Sequence, residues 1–153
     1  VIMSWSSGFE ELIQLDPAAR ENLIVGSNYY YTIDNPDNKK FVEAYKKKFK
    51  GVPPGYAGAA GYGLMKMTLL GMQKSGSTEP QKVITALEEH KGKNFVGDFE
   101  IRGRNHQTVR PFFVLQTKKK SEMKNQYDMA EVVDVSSTEQ PKNINMCKDI
   151  GSF

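Results

Sequence analysis

The chain has 153 residues, 39% of them hydrophobic and 25% charged, with a net charge of +3. That is one domain's worth of chain with the makings of a real core, and neither a disordered nor a membrane-spanning composition, since no apolar run approaches the roughly 20 residues a span needs. Cys147 is the only cysteine, which excludes an intramolecular disulfide and a cysteine-based metal site.

Val1 to Met3 reads as the end of a buried strand, without an initiator methionine or the charged-then-apolar pattern of a signal peptide. The chain is therefore expected to begin in mid-fold, as a fragment or a mature chain lacking a large N-terminal portion. Ser4 to Gly8 reads as a loop carrying Trp5, Ser6 and Ser7. Phe9, Leu12 and Ile13 have helical spacing, and Asp16-Pro17 offers a second helix start with Asp as N-cap and Pro at N1. Leu23 to Ser27 is a strand that Tyr29 to Tyr31 are expected to extend.

Asn35-Pro36 starts the next helix, with Phe41, Tyr45 and Phe49 as an apolar stripe and Lys46 to Lys48 in the last turn, where cations suit the dipole. Gly51 and Pro53-Pro54 stop it. Tyr56 to Lys74 is the longest helical stretch. Gly55, Gly58, Gly61 and Gly63 weaken its start by up to ~1 kcal/mol each relative to alanine, which points to close packing on a neighbouring backbone or a ligand. Glu79-Pro80 opens another helix with Val83, Ile84 and Leu87 inward. From Lys91 the period becomes two, so Phe95 to Ile101 and Val109 to Gln116 read as a β-hairpin, with Pro111 at an edge or an irregular start. A polar linker, a short strand at Val132 to Val135 and a polar tail follow.

The glycines of Gly55 to Gly63 do not make a dinucleotide motif: the spacing differs from G-x-G-x-x-G, and a Pro-Pro turn precedes them where a strand should. His90 and His106 belong to no metal or nucleophile motif, and Asp98 and Glu100 read as surface carboxylates on one strand. Lys46 to Lys48 and Lys118 to Lys120 read as solvated element ends, with no aromatic-flanked groove for nucleic acid. Trp5 has two readings, a ligand contact at a strand's carboxyl end or a hydrophobic anchor beneath its loop.

The stretch from Tyr62 through Ser75-Gly76-Ser77 to Pro80 resembles the long helix, small-residue turn and acidic-Pro start of the branched-chain amino acid binding proteins of ABC transporters. Phe95-Val-Gly-Asp-Phe-Glu-Ile101 and Asn105 to Thr117 are similar to that family's next two strands, and the order of pieces agrees over about the first 135 residues. The resemblance implies an α/β chain forming part of a two-lobed periplasmic-binding-protein type I fold that closes on its solute at a hinge. Residues 1–50 would belong to the second lobe, 51–120 to the first, and 121–153 to a crossover strand returning to the second lobe plus a tail. It further implies a non-enzymatic carrier in the periplasm or anchored by lipid outside the cell, peripheral to the membrane. Such a carrier takes a small solute to ABC permease subunits, with no cofactor and no nucleic acid partner. A ligand-sensing domain of the same fold is the alternative, and a nucleotide-dependent α/β enzyme a more distant one.

The implied ligand-binding residues are Trp5, Ser6, Ser7 and Tyr62. Ser6 aligns with an acidic residue that in the family's amino acid binders holds the ligand's ammonium group. A serine there supplies a hydrogen bond and no countercharge, so the implied solute is an amino acid, aromatic acid or amide, with a free branched-chain amino acid expected to bind more weakly than a carboxylate or amide that lacks an ammonium group.

Overall fold

Two β-sheets and four helices build the described part of the chain, seen in a computed structural model that describes residues 8–88, 90–103 and 105–139 together with the backbone of 3–5. In chain order the elements are β1 (Met3–Trp5), α1 (Phe9–Leu12), β2 (Ile24–Ser27), α2 (Pro36–Lys48), α3 (Tyr56–Ser75), α4 (Pro80–Leu87), β3 (Lys91–Asn94), β4 (Gly97–Ile101), β5 (Thr108–Val109), β6 (Pro111–Thr117) and β7 (Ala130–Ser137). The larger sheet has the order β1-β2-β6-β7, with β1 parallel to β2 and the later pairs antiparallel. The smaller sheet, β3-β4-β5, is antiparallel throughout.

Several elements form for the reasons their sequences give. Asn35 caps α2: its side-chain oxygen accepts from the N–H groups of Asp37 and Asn38, and Pro36 at the first position has no N–H to satisfy. Gly76 closes α3 in the left-handed conformation, where lack of a Cβ costs nothing. Gly71 lets α4 lie against α3, because a methyl group at that position would stand 2.8 Å from Val83 Cγ1 and 3.0 Å from two carbons of Leu87.

Other expectations change. β1 runs on to Trp5, since parallel pairing carries it to the register Trp5↔Gly26. Asp16 does cap a turn, accepting from Ala18 N–H at 2.8 Å, but no helix follows. The chain bends at Asn22, with φ +57°, to enter β2. Tyr29 and Tyr30 do not prolong β2: both leave the strand and are buried in the core. Phe95 and Val96 form the turn between β3 and β4, so the expected strand begins only at Gly97, and Lys91–Asn94 is a further strand paired with it.

The expected pairing of residues 95–101 with 109–116 is confined to Glu100↔Val109 and Ile101↔Thr108. After Val109 the chain leaves the small sheet. Pro111 has no N–H with which to continue that ladder, and Phe113 and Leu115 gain burial between β2 and β7. Segments 1–50, 51–120 and 121–153 thus all contribute strands to the larger sheet.

The core is rich in aromatic rings. Phe41 of α2 stacks on Tyr62 of α3 at 4.3 Å between centroids, and Phe95 meets Phe41 at 5.2 Å, Tyr62 at 5.3 Å and Tyr29 at 5.8 Å. This cluster ties the small sheet and α3 to α2 and the larger sheet. Asn38, fully buried, anchors the Tyr29–Ile33 segment: it accepts from Tyr29 Oη at 2.8 Å and donates to the carbonyls of Tyr31 and Ile33. Arg20 is also buried, and donates to Leu12 O at 2.9 Å.

Candidate functional site

The parallel strands β1 and β2 end side by side, and the carboxyl ends of parallel strands are where α/β sheets receive ligands. Two helices start there. Gly8 caps α1, and a Cβ on it would meet Tyr56 Cδ1 at 3.2 Å and Ser27 Oγ at 3.4 Å. A side chain on Gly8 would press on both, so glycine suits the close approach of the end of β2, the start of α1 and the start of α3. Ser27 Oγ donates to Tyr29 O at 2.9 Å, which fixes the exit from β2.

The first turn of α3 holds no acidic residue, and its N-cap is Gly55, so the helix brings no acceptor of its own for its free N–H groups. Glu10 of α1 supplies it. Its carboxylate accepts from Tyr56 N–H and Ala57 N–H, each at 3.1 Å, and occupies the space a side chain on Gly55 would need. The negative charge suits the positive end of a long helix. Gly8 N–H in turn donates to the Glu11 carboxylate at 2.7 Å. The Ser27 hydroxyl is buried and bonded to Tyr29, and the N–H groups of Gly8, Tyr56 and Ala57 are bonded to carboxylates, so the exposed chemistry at this strand end is the Tyr56 ring beside the Glu10 carboxylate.

Of the expected site residues, Trp5 contributes the last backbone position of β1, while Ser6 and Ser7 lie outside the described residues. Tyr62 belongs to the aromatic cluster, stacked on Phe41, with Lys66 Nζ 5.4 Å from its ring centre and about a third of its surface (38%) exposed. Gly8, Glu10, Ser27 and Tyr56 were missed by sequence reasoning. One signal was present: a helix starting at Pro-Pro-Gly-Tyr with no Ser, Thr, Asp or Asn cap needs an acceptor from elsewhere in the chain.

The histidines lie apart from this place. His106 Nε2 meets Glu88 at 2.8 Å, and His90 Nδ1 meets Lys74 Nζ at 2.5 Å. Burial first, and the Lys74 ammonium second, hold the His90 imidazole below its ordinary pKa. Among the described residues no three His, Cys, Asp or Glu side chains converge as metal ligands, and no helix is long and apolar enough to cross a membrane.

The fold has counterparts among known proteins. The profile of the family described as "Periplasmic binding protein" matches residues 1–122. The chain belongs to that family. An amino acid ABC transporter substrate-binding protein from Pseudomonas fluorescens Pf-5 is similar in structure, with a TM-score of 0.85 and 26% identity over 94% of this chain and 38% of that one. A branched-chain amino acid ABC transporter periplasmic ligand-binding protein from Burkholderia xenovorans LB400 gives 0.75 and 20% over 83% and 33%. A solute binding protein of an ABC transporter from Rhodopseudomonas palustris BisB5, solved in complex with 3,4-dihydroxy benzoic acid, gives 0.73 and 19% over 89% and 36%. A search of curated proteins returns no match. The fold is therefore α/β, of the periplasmic-binding-protein type, and this chain spans well under half the length of the structures it resembles.

Proposed function

We propose that this chain is part of the solute-binding component of an ABC importer, which holds a small solute between two lobes and delivers it to membrane permease subunits. The observation that carries the reading is the meeting of the β1 and β2 ends with the starts of α1 and α3. Family membership supports a carrier that performs no catalysis, working in the periplasm or anchored outside the cell. In this reading β1, β2, β6 and β7 with α1 and α2 form one lobe, and α3, α4 and β3 to β5 belong to the other. The chain crosses between them at 51–55 and again near Arg110.

The solute lies against Trp5, Ser6 and Ser7 with Gly8, Ser27 and Tyr56, and Tyr62 contributes from the aromatic wall. Because Ser6 provides no charge for an ammonium group, the favoured solute is a carboxylate or amide. The bound 3,4-dihydroxy benzoic acid of the Rhodopseudomonas palustris protein is one example of that class in the fold. Trp5 is the only tryptophan of these 153 residues, and in a full-length variant that keeps it as the single tryptophan its fluorescence would report on binding. Titrating the full-length protein with leucine and with 3,4-dihydroxy benzoic acid should shift its fluorescence more strongly, and at lower concentration, with the acid. Ser6→Glu should reverse the preference. Tight leucine binding by the wild type, unaffected by Ser6→Glu, would refute the assignment of Ser6.

A further inference from the structure

A groove of about 580 Å³ lies between the small sheet and the end of β7, and it shares no residue with the strand-end site. Its walls are formed by β3 and β4, by Val109 to Pro111 where the chain passes between sheets, and by Ser136 and Ser137. Its size falls within the roughly 300–1,000 Å³ of small-molecule sites. Phe99, Val109 and Pro111 give it apolar surface.

Its charges are unequal. Three cations, Lys91, Lys93 and Arg110, and two carboxylates, Asp98 and Glu100, line it. Both carboxylates are taken: Lys91 Nζ stands 3.3 Å from Glu100, Lys93 Nζ 3.4 Å from Asp98, and Arg102 Nε 3.9 Å from Glu100. Among the described residues no carboxylate pairs with Arg110. Among the described residues the guanidinium gives one bond, from Nη1 to Asn28 O outside the groove's lining at a long 3.3 Å, and its other donors have no partner there. Burial also holds its pKa below the ordinary arginine value, as expected of a cation taken from water without a countercharge. A partly buried guanidinium is costly to leave unpaired, and a carboxylate is the group whose geometry matches its fork.

We propose that this groove is a second binding site of the protein, one that takes a small monocarboxylate with an apolar body. The carboxylate engages the Arg110 guanidinium, and the apolar body rests on Phe99, Val109 and Pro111. A single unpaired cation flanked by two carboxylates favours one negative charge over two.

The test uses benzoate as probe, with benzyl alcohol as its uncharged counterpart, titrated into the isotopically labelled full-length protein and followed by NMR. Benzoate should give saturable shifts at the amides of Gly92, Phe99, Val109, Ser136 and Ser137, and benzyl alcohol at least tenfold weaker ones. Arg110→Gln should weaken benzoate at least tenfold. Arg110→Lys, which keeps the charge and the space but loses the fork, should fall between and serves should the glutamine variant unfold. Equal binding of the two probes, unchanged affinity in the lysine variant, or shifts confined to Gly8, Ser27 and Tyr56 at the strand ends would each overturn the proposal.

Discussion

Replacing Gly55 by alanine should destabilise the protein through Glu10 and not through the backbone. Gly55 has φ −92° and ψ −172°, an extended conformation open to any residue. The added methyl group would fall on the Glu10 carboxylate. That carboxylate ends a flexible side chain, so it would swing away, and the two N–H groups at the start of α3 would lose their acceptor. Losing a helix cap costs about 1 kcal/mol, within a range of about 0.5–2. Glu10→Ala removes the same two bonds and should cost the same. The double variant should therefore lose about 1 kcal/mol, not about 2, since each change removes one shared interaction. In a thermal melt each single variant should fall by about 2–4 °C, with the double variant close to either. Additive losses would show that Gly55 and Glu10 act separately and would refute the reasoning.

Asn38→Ala should cost about 2–4 kcal/mol in chemical denaturation, because it strands the Tyr29 hydroxyl and two carbonyls in the core. Gly71→Val should cost about 2 kcal/mol or more, since its side chain would enter the space of Val83 and Leu87; paired with Val83→Ala, part of the loss should return. Burial raises the Asp128 pKa, but the bond from Lys118 at 2.8 Å and that from Lys124 N–H at 3.0 Å outweigh it, and the net value is lowered. A carboxylate whose folded-state pKa is depressed contributes stability at neutral pH and loses it as pH falls through that lowered value. Urea melts across the acid range should therefore show a flatter decline for Asp128→Asn, with about 1 kcal/mol less stability at pH 7.

Helices α2 and α3 were legible because local chemistry sets their ends, although the same signal at Asp16-Pro17 caps only a turn. Asn35-Pro36, the Pro-Pro break before α3 and Gly76 after it act within a few residues, and the structure follows each. The strands were legible as apolar segments, but their partners were not. The alternation from Phe95 to Ile101 begins inside a tight turn, which ends at Gly97 with φ +127°, and the pattern does not reveal that turn. The exchange of partners at Arg110 depends on what β2 and β7 offer to Phe113 and Leu115, and that information lies far away in sequence. The candidate site follows the same rule. The strand end at Trp5 could be read nearly in place, whereas Glu10 and Tyr56 meet only because two separately encoded helices begin at one point.

The long-range closure of the larger sheet has a consequence for biosynthesis. Leu23 N–H donates to Thr117 Oγ1, a partner 94 residues further along the chain. During translation β2 must wait for β6 while all of α2, α3, α4 and the β3–β4 hairpin are made, and each of those can form from local contacts as it emerges. The edge of β2 that β6 covers is thus open until β6 is made. The slow step of folding should be the docking of β6, so substitutions at Val25 or Leu115 should delay maturation more than equally destabilising ones in α3.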